Sequence, residues 1–242
     1  MNRKNTWLIA PSCAIPLPRG SITTRHSRLQ KRDNYHVISS ETIQETYDRC
    51  SSFYDLFFKP WLESGRARAL EHLELFDGAR ILEVGVGTGL GFDSYPANVS
   101  VLGFDFSHGM LRQSLKAREE ASCPIDLLQM DAQNMAFPDN TFDRILAAYV
   151  LTVVPDPKKA LMEILRVAKP GARIAFINHL RSDSPFLAWI EDTFHPVFSQ
   201  VGLFNLDKNL LKVLDSCAIK DYQIEPTTRL GLHHIISFNA PE

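Results

Sequence analysis

The fold of this 242-residue chain is decided by Ile81-Leu82-Glu83-Val84-Gly85-Val86-Gly87-Thr88-Gly89, an apolar run that leads into three alternating glycines. A short apolar run of this kind predicts a buried strand, and the glycines predict a turn whose backbone approaches a ligand closely. Parallel sheets bind ligands at this point, beyond the carboxyl ends of their strands. A dinucleotide-binding loop needs Gly-x-Gly-x-x-Gly or Ala, but Leu90 or Phe92 occupies the last position, and a Gly-Lys-Ser/Thr phosphate-binding loop is absent. The stretch therefore predicts a ligand-binding loop and disfavours a phosphate cradle.

Strand-length apolar runs alternate with helix-length segments along the rest of the chain. Such alternation is typical of βαβ units, which build a mostly parallel sheet with helices on both faces. The fifth strand is expected to follow a turn at Lys169-Pro170-Gly171. The predicted strands are 80–84, 99–104, 125–129, 142–149, 173–178, 218–225 and 232–239, and the predicted helices are 61–73, 107–120, 157–168 and 184–215.

The chain begins with a segment of different composition. Residues 1–38 lack periodicity and are rich in Pro, Ser, Thr and Arg, so we expect a mostly disordered extension before a single domain over 39–242. Residues 1–32 hold seven of the 26 basic residues and none of the 28 acidic ones, which leaves 19 basic against 28 acidic residues, or −9, for the remainder. A basic arm on an acidic body favours an anionic partner, either membrane or nucleic acid. A solvated tail, a misassigned start or a targeting peptide are the alternatives.

The cysteines and the apolar runs exclude several classes of protein. No Cys-x-x-Cys pair occurs, which argues against a zinc ribbon, a thioredoxin-type site or a disulfide scaffold, so no metal is expected and a reducing compartment is favoured. No apolar run approaches the roughly 18 residues of a membrane-spanning helix. The stretch 7–17 is too short and too rich in proline for a signal peptide, so we expect a cytoplasmic protein. The four cysteines are Cys13, Cys50, Cys123 and Cys217.

The glycine stretch, with Glu83 two residues ahead of it, resembles motif I of the class I S-adenosylmethionine-dependent methyltransferases. The resemblance implies a Rossmann-like α/β fold, a seven-stranded and mostly parallel sheet with helices on both faces and an N-terminal helical cap. It also implies S-adenosylmethionine as the cofactor. We assign the cap to residues 39–75 and a second helical insertion to 184–215.

The resemblance also assigns roles to residues after the strands. Asp105, 20 residues after Gly85, is expected to accept both ribose hydroxyl protons, and Asp131 to meet the adenine amino group. Glu83 is expected behind the loop, ordering glycine N–H groups or, through water, the methionine part of the cofactor. Met110 either covers the adenine or belongs to the core. The predicted cofactor-binding residues are Glu83, Gly85, Gly87, Gly89, Asp105, Phe106, Met110, Asp131, Ala132 and Tyr149.

Three further segments resemble small bacterial phospholipid N-methyltransferases, over about residues 45–240. They are 52–56 (Ser-Phe-Tyr-Asp-Leu), 147–157 (Ala-Ala-Tyr-Val-Leu-Thr-Val-Val-Pro-Asp-Pro) and 177–180 (Ile-Asn-His-Leu), with Glu191 in the following helix. The resemblance implies N-methylation of phosphatidylethanolamine toward phosphatidylcholine at the inner face of the cytoplasmic membrane. One departure is Ala172, where the usual Lys-Pro-Gly-Gly turn has its last glycine.

Two other functions stay open at this point. Methylation of a quinone precursor uses the same loop, and a non-catalytic S-adenosylmethionine-binding partner protein would also retain it. The Asn-Pro-Pro-Tyr motif of DNA adenine and glutamine methyltransferases is absent, since the fourth predicted strand ends in Tyr149-Val150-Leu151-Thr152, so nucleic acid is not the expected partner. The oligomeric state is not predicted.

Methyl transfer requires an aligned acceptor, exclusion of water and, for a protonated amine, loss of a proton. The predicted catalytic residues are Tyr149, Asn178, His179 and Tyr54, with Asp55 beside Tyr54. His179 titrates in the useful range. Arg181 is a candidate partner for a lipid phosphate.

The aromatic residues of segment 43–61 have two interpretations. They are either the apolar face of the cap over the cofactor or a membrane-binding surface that admits lipid. Further aromatic residues in 184–215 could line the other side of the same entrance. The two interpretations do not exclude each other, and an anionic membrane surface is a predicted partner.

Overall fold

The computed structural model describes residues 65–179, 210–227 and 233–242, with only the backbone of His179. The predicted extension 1–38, most of the predicted cap and residues 184–209 of the predicted insertion therefore lie outside the described residues. The proposed domain boundaries stay predictions.

The described residues form a mixed sheet of seven strands, as expected from the sequence. The strands are β1 (Arg80–Val84), β2 (Ser100–Asp105), β3 (Ile125–Gln129), β4 (Phe142–Ala148), β5 (Ala168–His179), β6 (Gln223–Pro226) and β7 (His233–Asn239). Their order in the sheet is β3-β2-β1-β4-β5-β7-β6; neighbours among β1 to β5 are parallel, and β7 runs antiparallel to both β5 and β6. This is the predicted class I methyltransferase architecture.

Helices of the described segments cover both faces of the sheet. The first, α1, occupies residues 65–71, and a 3-10 turn follows β1 at Phe92–Ser94. Ser107 caps α2 (His108–Glu120) by accepting a 3.1 Å hydrogen bond from the Met110 N–H. Asp156 caps α3 (Pro157–Val167), whose first residue is a proline. The last described helix is α4 (Leu210–Ser216), and no described helix is long and apolar enough to cross a membrane.

The two faces of the sheet bury separate apolar cores. Neighbouring residues of β1 point to opposite faces, so Ile81 and Leu82 belong to different cores. Leu82 packs in the core that includes Ile164 of α3 and Leu214 of α4, and Ile81 packs in the core that includes Leu111 of α2. This packing holds the carboxyl ends of β1 to β5 along one edge of the sheet.

The structure corrects the expected start of β5. The strand begins at Ala168 rather than at Arg173, because Ala168 already pairs with Phe142 of β4. The next pair joins Arg144 to Arg173, and the extra residues of β5 between these two pairs form a bulge. Gly171 has a φ of +70° and its N–H donates to the Ala240 carbonyl at 3.2 Å. The predicted turn is therefore an irregularity inside the strand.

The start of β6 is also corrected, from residue 218 to Gln223. Ala218 adopts a left-handed conformation with φ +61°, and the Ile219 N–H donates to the Leu214 carbonyl at 3.0 Å. These residues close the end of α4 instead of starting the strand.

Candidate active site

The candidate site is a cleft at the carboxyl ends of β1 to β4. The chain winds from β1 to β3 on one side and continues at β4 on the other, so the cleft lies at the switch point where open α/β sheets bind ligands. Residues that follow each strand line it: Gly85 after β1, Asp105 at the end of β2, Asp131 after β3 and Tyr149 after β4.

The glycine loop has a backbone conformation that side chains disfavour. Gly85, Gly87 and Gly89 have φ values of +70°, +58° and +83°. A Cβ added at Gly85 would lie only 2.2 Å from Cγ2 of Val150, so the loop is pressed against the segment after β4. The Gly85 N–H donates to the Phe104 carbonyl at 2.9 Å, which fastens the loop to β2 as well. Glycine at position 85 is thus required both by the turn and by the close approach.

Asp105 connects the loop to the end of β2. Its Oδ2 accepts from the Gly87 N–H and its Oδ1 from the Ser107 N–H, each at 2.9 Å. Loss of water around the carboxyl group raises the pKa of Asp105, although these backbone donors and the charge of Arg66 act in the opposite direction. A carboxylate has about four acceptor sites, so Asp105, which lines the cleft, retains capacity to accept hydroxyl protons of a ligand.

Asp131 provides a second acidic group on the β3 side of the cleft. Oδ1 accepts from the Gln133 N–H at 2.8 Å, and the Gln133 side-chain amide contacts both carboxylate oxygens at 3.1 and 3.3 Å. Phe106 and Met110 add apolar surface between the two aspartates. Met110 is 2% exposed, so it belongs to the buried set as well as to the cleft wall.

Glu83 has different partners from those expected. It is fully buried, and its carboxylate accepts from Nη1 of Arg66 at 2.9 Å and from the Tyr95 hydroxyl at 2.8 Å. The glycine N–H groups bind elsewhere, with Gly87 on Asp105 and Gly89 on the Val86 carbonyl. Burial raises the pKa of Glu83, while the positive charge of Arg66 opposes this.

The remaining predicted cofactor-binding residues divide between the cleft and its support. Glu83 and Gly89 are not among the described residues that line the cleft. Gly89 packs against Phe92, and a Cβ added at Gly89 would lie 2.8 Å from the Phe92 ring. The predicted residues that do line it are Gly85, Gly87, Asp105, Phe106, Met110, Asp131, Ala132 and Tyr149.

Tyr149 stands at the boundary between the cofactor side and the rest of the cleft. It has a φ of +63°, which is uncommon for a bulky residue and occurs most often where function requires it. Its N–H donates to the Ile177 carbonyl at 2.7 Å, and its ring packs edge-on against His233 at a centroid distance of 5.5 Å. Tertiary contacts with β5 and β7 therefore hold this strained conformation.

Asn178 is a buried amide in β5. It is 0% exposed, and neither Oδ1 nor Nδ2 has a hydrogen-bond partner among the described residues. Buried polar atoms of proteins are normally paired. Asn178 is the residue after Ile177, whose carbonyl binds Tyr149, and it lies opposite His234 of β7. It does not line the cleft as described, but it is next to the residues that do.

The side chains of the other predicted catalytic residues lie outside the described part of the chain. The backbone of His179 ends β5, and Tyr54, Asp55 and Arg181 lie outside the described residues.

Arg66 and the apolar wall of the cleft were not predicted from the sequence. Arg66 lies 17 residues before its partner Glu83 and belongs to no motif, so the sequence carried no signal for it. The wall beyond Tyr149 is formed by Val150, Val153, Val154 and Pro155, and its signal was the apolar run after the fourth strand.

Comparisons with known proteins agree with this architecture. A family model described as "Methyltransferase domain" matches residues 82–176. The chain is similar to a phosphatidylethanolamine N-methyltransferase of Cereibacter sphaeroides, with 39% identity over 62% of this chain and 74% of that protein. It is also similar to a demethylmenaquinone methyltransferase of Lactococcus lactis, with 33% identity over 77% and 74% of the two chains.

A solved structure shares the fold. A methyltransferase of Thermotoga maritima, described as S-adenosylmethionine-dependent, superposes with a TM-score of 0.62 at 21% identity, covering 81% of this chain and 99% of that one. The low identity makes this likeness a statement about the fold alone.

Proposed function

Because the chain belongs to the class I S-adenosylmethionine-dependent methyltransferases, we propose that it transfers methyl groups to the amino group of phosphatidylethanolamine. S-adenosylmethionine is its cofactor. The residues of the cleft fit this molecule: Asp105 and Asp131 present acceptor oxygens for ribose hydroxyls and an adenine amino group, and Met110 adds an apolar surface. The proposal concerns the acceptor, which the family alone does not specify.

The cofactor, when bound, supplies a methyl group already activated on a sulfonium ion. The chain then has to hold the acceptor nitrogen in line with it, remove a proton from the amine and exclude water. The wall of Val150, Val153, Val154 and Pro155 keeps water away from one side of the cleft. Tyr149 lines the cleft next to this wall, and the proposal places the acceptor atom beside it.

The observation that carries the choice of an amine is the unpaired amide of Asn178. Its Oδ1 is a hydrogen-bond acceptor that the described residues leave free, next to the strand end that carries Tyr149. An amine N–H that reaches this oxygen can donate to it, and a neutral amide accepts without fixing the proton on the nitrogen. Because Asn178 lies behind the lining residues, the proposal requires those residues to move when the acceptor binds. The similarity to the Cereibacter sphaeroides enzyme supports the same acceptor. His179 remains the predicted proton acceptor.

A second candidate acceptor is the ring of a demethylated quinone. The Lactococcus lactis relative favours it, and the apolar wall accepts a ring as readily as the upper part of a lipid. A quinone ring does not need an amine-binding amide, so Asn178 is the feature that separates the two.

The test is methyl transfer from isotope-labelled S-adenosylmethionine to two acceptors in parallel. One acceptor is phosphatidylethanolamine in vesicles of phosphatidylglycerol, and the other is demethylmenaquinone in vesicles of phosphatidylglycerol alone. We expect mass spectrometry to find methylated phosphatidylethanolamine only. Label in the quinone alone would establish the second candidate, and binding of the cofactor without transfer to either acceptor would contradict both.

We extend the proposal to the place of the reaction, the inner face of the cytoplasmic membrane. The support is the acid-free arm of residues 1–32 and the aromatic segment 43–61. Each basic residue near an anionic surface contributes about 1 kcal/mol to the free energy of membrane binding. Salt screens this electrostatic contribution but does not screen the insertion of aromatic side chains. In vesicle co-sedimentation, deletion of residues 1–36 should weaken binding mainly at low salt. Replacement of Phe57, Phe58 and Trp61 by Ser should weaken it at every salt concentration; normal binding by that folded variant would contradict insertion.

A further inference from the structure

Arg66 is a buried cation in the wall of the cleft. Of the described residues that line the cleft, it alone carries a positive charge, and it is 6% exposed. Its side chain passes over Gly91, where an added Cβ would lie 3.3 Å from Cδ of Arg66. Its Nη1 donates to Oε1 of Glu83 at 2.9 Å. The guanidinium is therefore fixed beside the glycine loop by both packing and an ion pair.

The described residues use only part of the hydrogen-bonding capacity of this guanidinium. Its Nε is buried and has no partner among them. A guanidinium presents five N–H donors in a planar fork that matches the two oxygens of a carboxylate. A buried donor without an acceptor is unfavourable. Because Arg66 lines the cleft, the donors of the fork that Glu83 does not use point to an acceptor on the ligand.

The position of Arg66 along the sheet identifies which part of the ligand this is. Asp131 follows β3, Asp105 ends β2, and Arg66 is bonded to Glu83 of β1, so the three follow the strand order β3-β2-β1. The cofactor has its groups in a matching order: adenine, then ribose, then an amino acid that ends in a carboxylate. With Asp131 at the adenine and Asp105 at the ribose, the amino-acid group falls on the Arg66 side.

We propose that Arg66 binds the α-carboxylate of the cofactor and thereby selects for a ligand that carries an amino-acid group. Glu83 acts as a positioning residue, because its buried carboxylate holds Nη1 and leaves the remainder of the guanidinium fork for the ligand. A charge-assisted contact of this kind is strong where water is excluded. This role concerns the cofactor and is independent of which acceptor the enzyme methylates.

The test compares two ligands that differ in the group in question. S-adenosylhomocysteine carries the amino-acid group, whereas 5′-methylthioadenosine has the same adenosine and thioether sulfur without it. By calorimetric titration, Arg66→Met should weaken the binding of S-adenosylhomocysteine about 10- to 100-fold and change that of methylthioadenosine less than about threefold. Arg66→Lys, which keeps the charge without the fork, should lie between wild type and Arg66→Met.

Arg66→Met leaves the buried Glu83 without its cation and could fail to fold. The double variant Arg66→Met with Glu83→Gln removes both charges and is compared with Glu83→Gln alone in the same titrations, after thermal unfolding has verified that both are folded. Equal losses for the two ligands would mean that Arg66 only supports the loop. Unchanged affinity for S-adenosylhomocysteine would mean that the carboxylate binds elsewhere. Either result overturns the proposal.

Discussion

Asp105 and Asn178 both stand at the carboxyl end of a strand, but the described residues satisfy only the first of them. Both oxygens of Asp105 accept backbone N–H groups, and the glycine loop beside it is fastened to β2. The amide of Asn178 has no partner in the described segments, and its neighbour Tyr149 has a strained backbone. The part of the cleft around Asp105 that we assign to the cofactor, the cofactor half, is thus preorganised. The part around Tyr149 and Asn178 that we assign to the acceptor, the acceptor half, keeps polar capacity for a substrate.

The largest effect expected in the cofactor half is that of Gly85→Ala. The left-handed backbone costs about 1–2 kcal/mol for a residue with a Cβ, and this Cβ would lie 2.2 Å from Cγ2 of Val150. We expect affinity for S-adenosylhomocysteine to fall by more than about 100-fold in calorimetric titrations, since the loop has to move.

Gly171→Ala is the matched control for Gly85→Ala. Gly171 has the same φ of +70°, but nothing lies within 4 Å of its added Cβ. The Gly171→Ala variant should lose about 1–2 kcal/mol of stability and keep the wild-type affinity for S-adenosylhomocysteine. Adding Val150→Ala to Gly85→Ala should recover part of the binding. Equal affinity losses in both glycine variants would show that the contact with Val150 is unimportant.

The next largest effect is that of Asp105→Asn, which removes the charge and keeps the size. Cofactor affinity should fall about 10- to 100-fold, because a charge-assisted pair with the ribose is lost. Calorimetric titration of a folded variant measures this. An unchanged dissociation constant would remove Asp105 from the binding site.

The same residue predicts how binding depends on pH. Burial raises the pKa of Asp105, so the carboxylate becomes protonated at a higher pH than the value of about 3.9 of an exposed aspartate. The ionised form accepts the hydroxyl protons. The affinity for the cofactor should therefore have its full value at pH values above the raised pKa of Asp105, and it should decrease as the pH falls through that pKa. The Asp105→Asn variant should lack this decrease over the range in which both proteins stay folded.

In the acceptor half, Asn178→Leu should separate stability from activity. Replacing an unpaired buried amide by an apolar group of similar size should stabilise the protein by about 1 kcal/mol and raise Tm by about 2–4 °C. Turnover with phosphatidylethanolamine should fall about tenfold, with cofactor affinity unchanged. A variant that is destabilised and fully active would show that Asn178 has structural partners and does not serve the acceptor.

The smallest effect is expected for Tyr149→Phe. The ring keeps its edge-on contact with His233 and the backbone keeps its conformation, so only the hydroxyl is lost. We expect turnover to fall about threefold, the size of one neutral hydrogen bond, while cofactor affinity stays the same. A loss of cofactor affinity instead would assign Tyr149 to the cofactor half.

Elements set by local patterns were predicted closely. The bounds of β1 and β3 agree with the expected 80–84 and 125–129, and α2 begins after the cap that Ser107 provides. Apolar periodicity and capping act over a few residues, so a single sequence contains them. Asp105 and Asp131 line one cleft for a related reason, since the carboxyl ends of parallel strands meet at one edge.

Two predicted strand starts were wrong because they depend on distant residues. Ala168 joins β5 by pairing with Phe142, and the bulge that follows is held by a hydrogen bond between Gly171 and Ala240. Such pairs are separated by tens of residues along the chain and leave no local signal. Ala218 has a left-handed conformation that alanine rarely adopts, so its residue type indicated the opposite.

The amino-acid sequence by itself determined the alternation of strands and helices, the glycine loop and the two acidic residues that line the cleft, because each depends on residue types at short, regular spacings. Only the tertiary structure decided that Glu83 binds Arg66 and Tyr95 instead of the loop, and that a buried cation enters the cleft from α1. It also decided the strained backbone of Tyr149, which contacts with β5 and β7 hold in place. Charge pairing and packing in a protein interior act through space, and the partners of a buried group are therefore fixed only when the chain has folded.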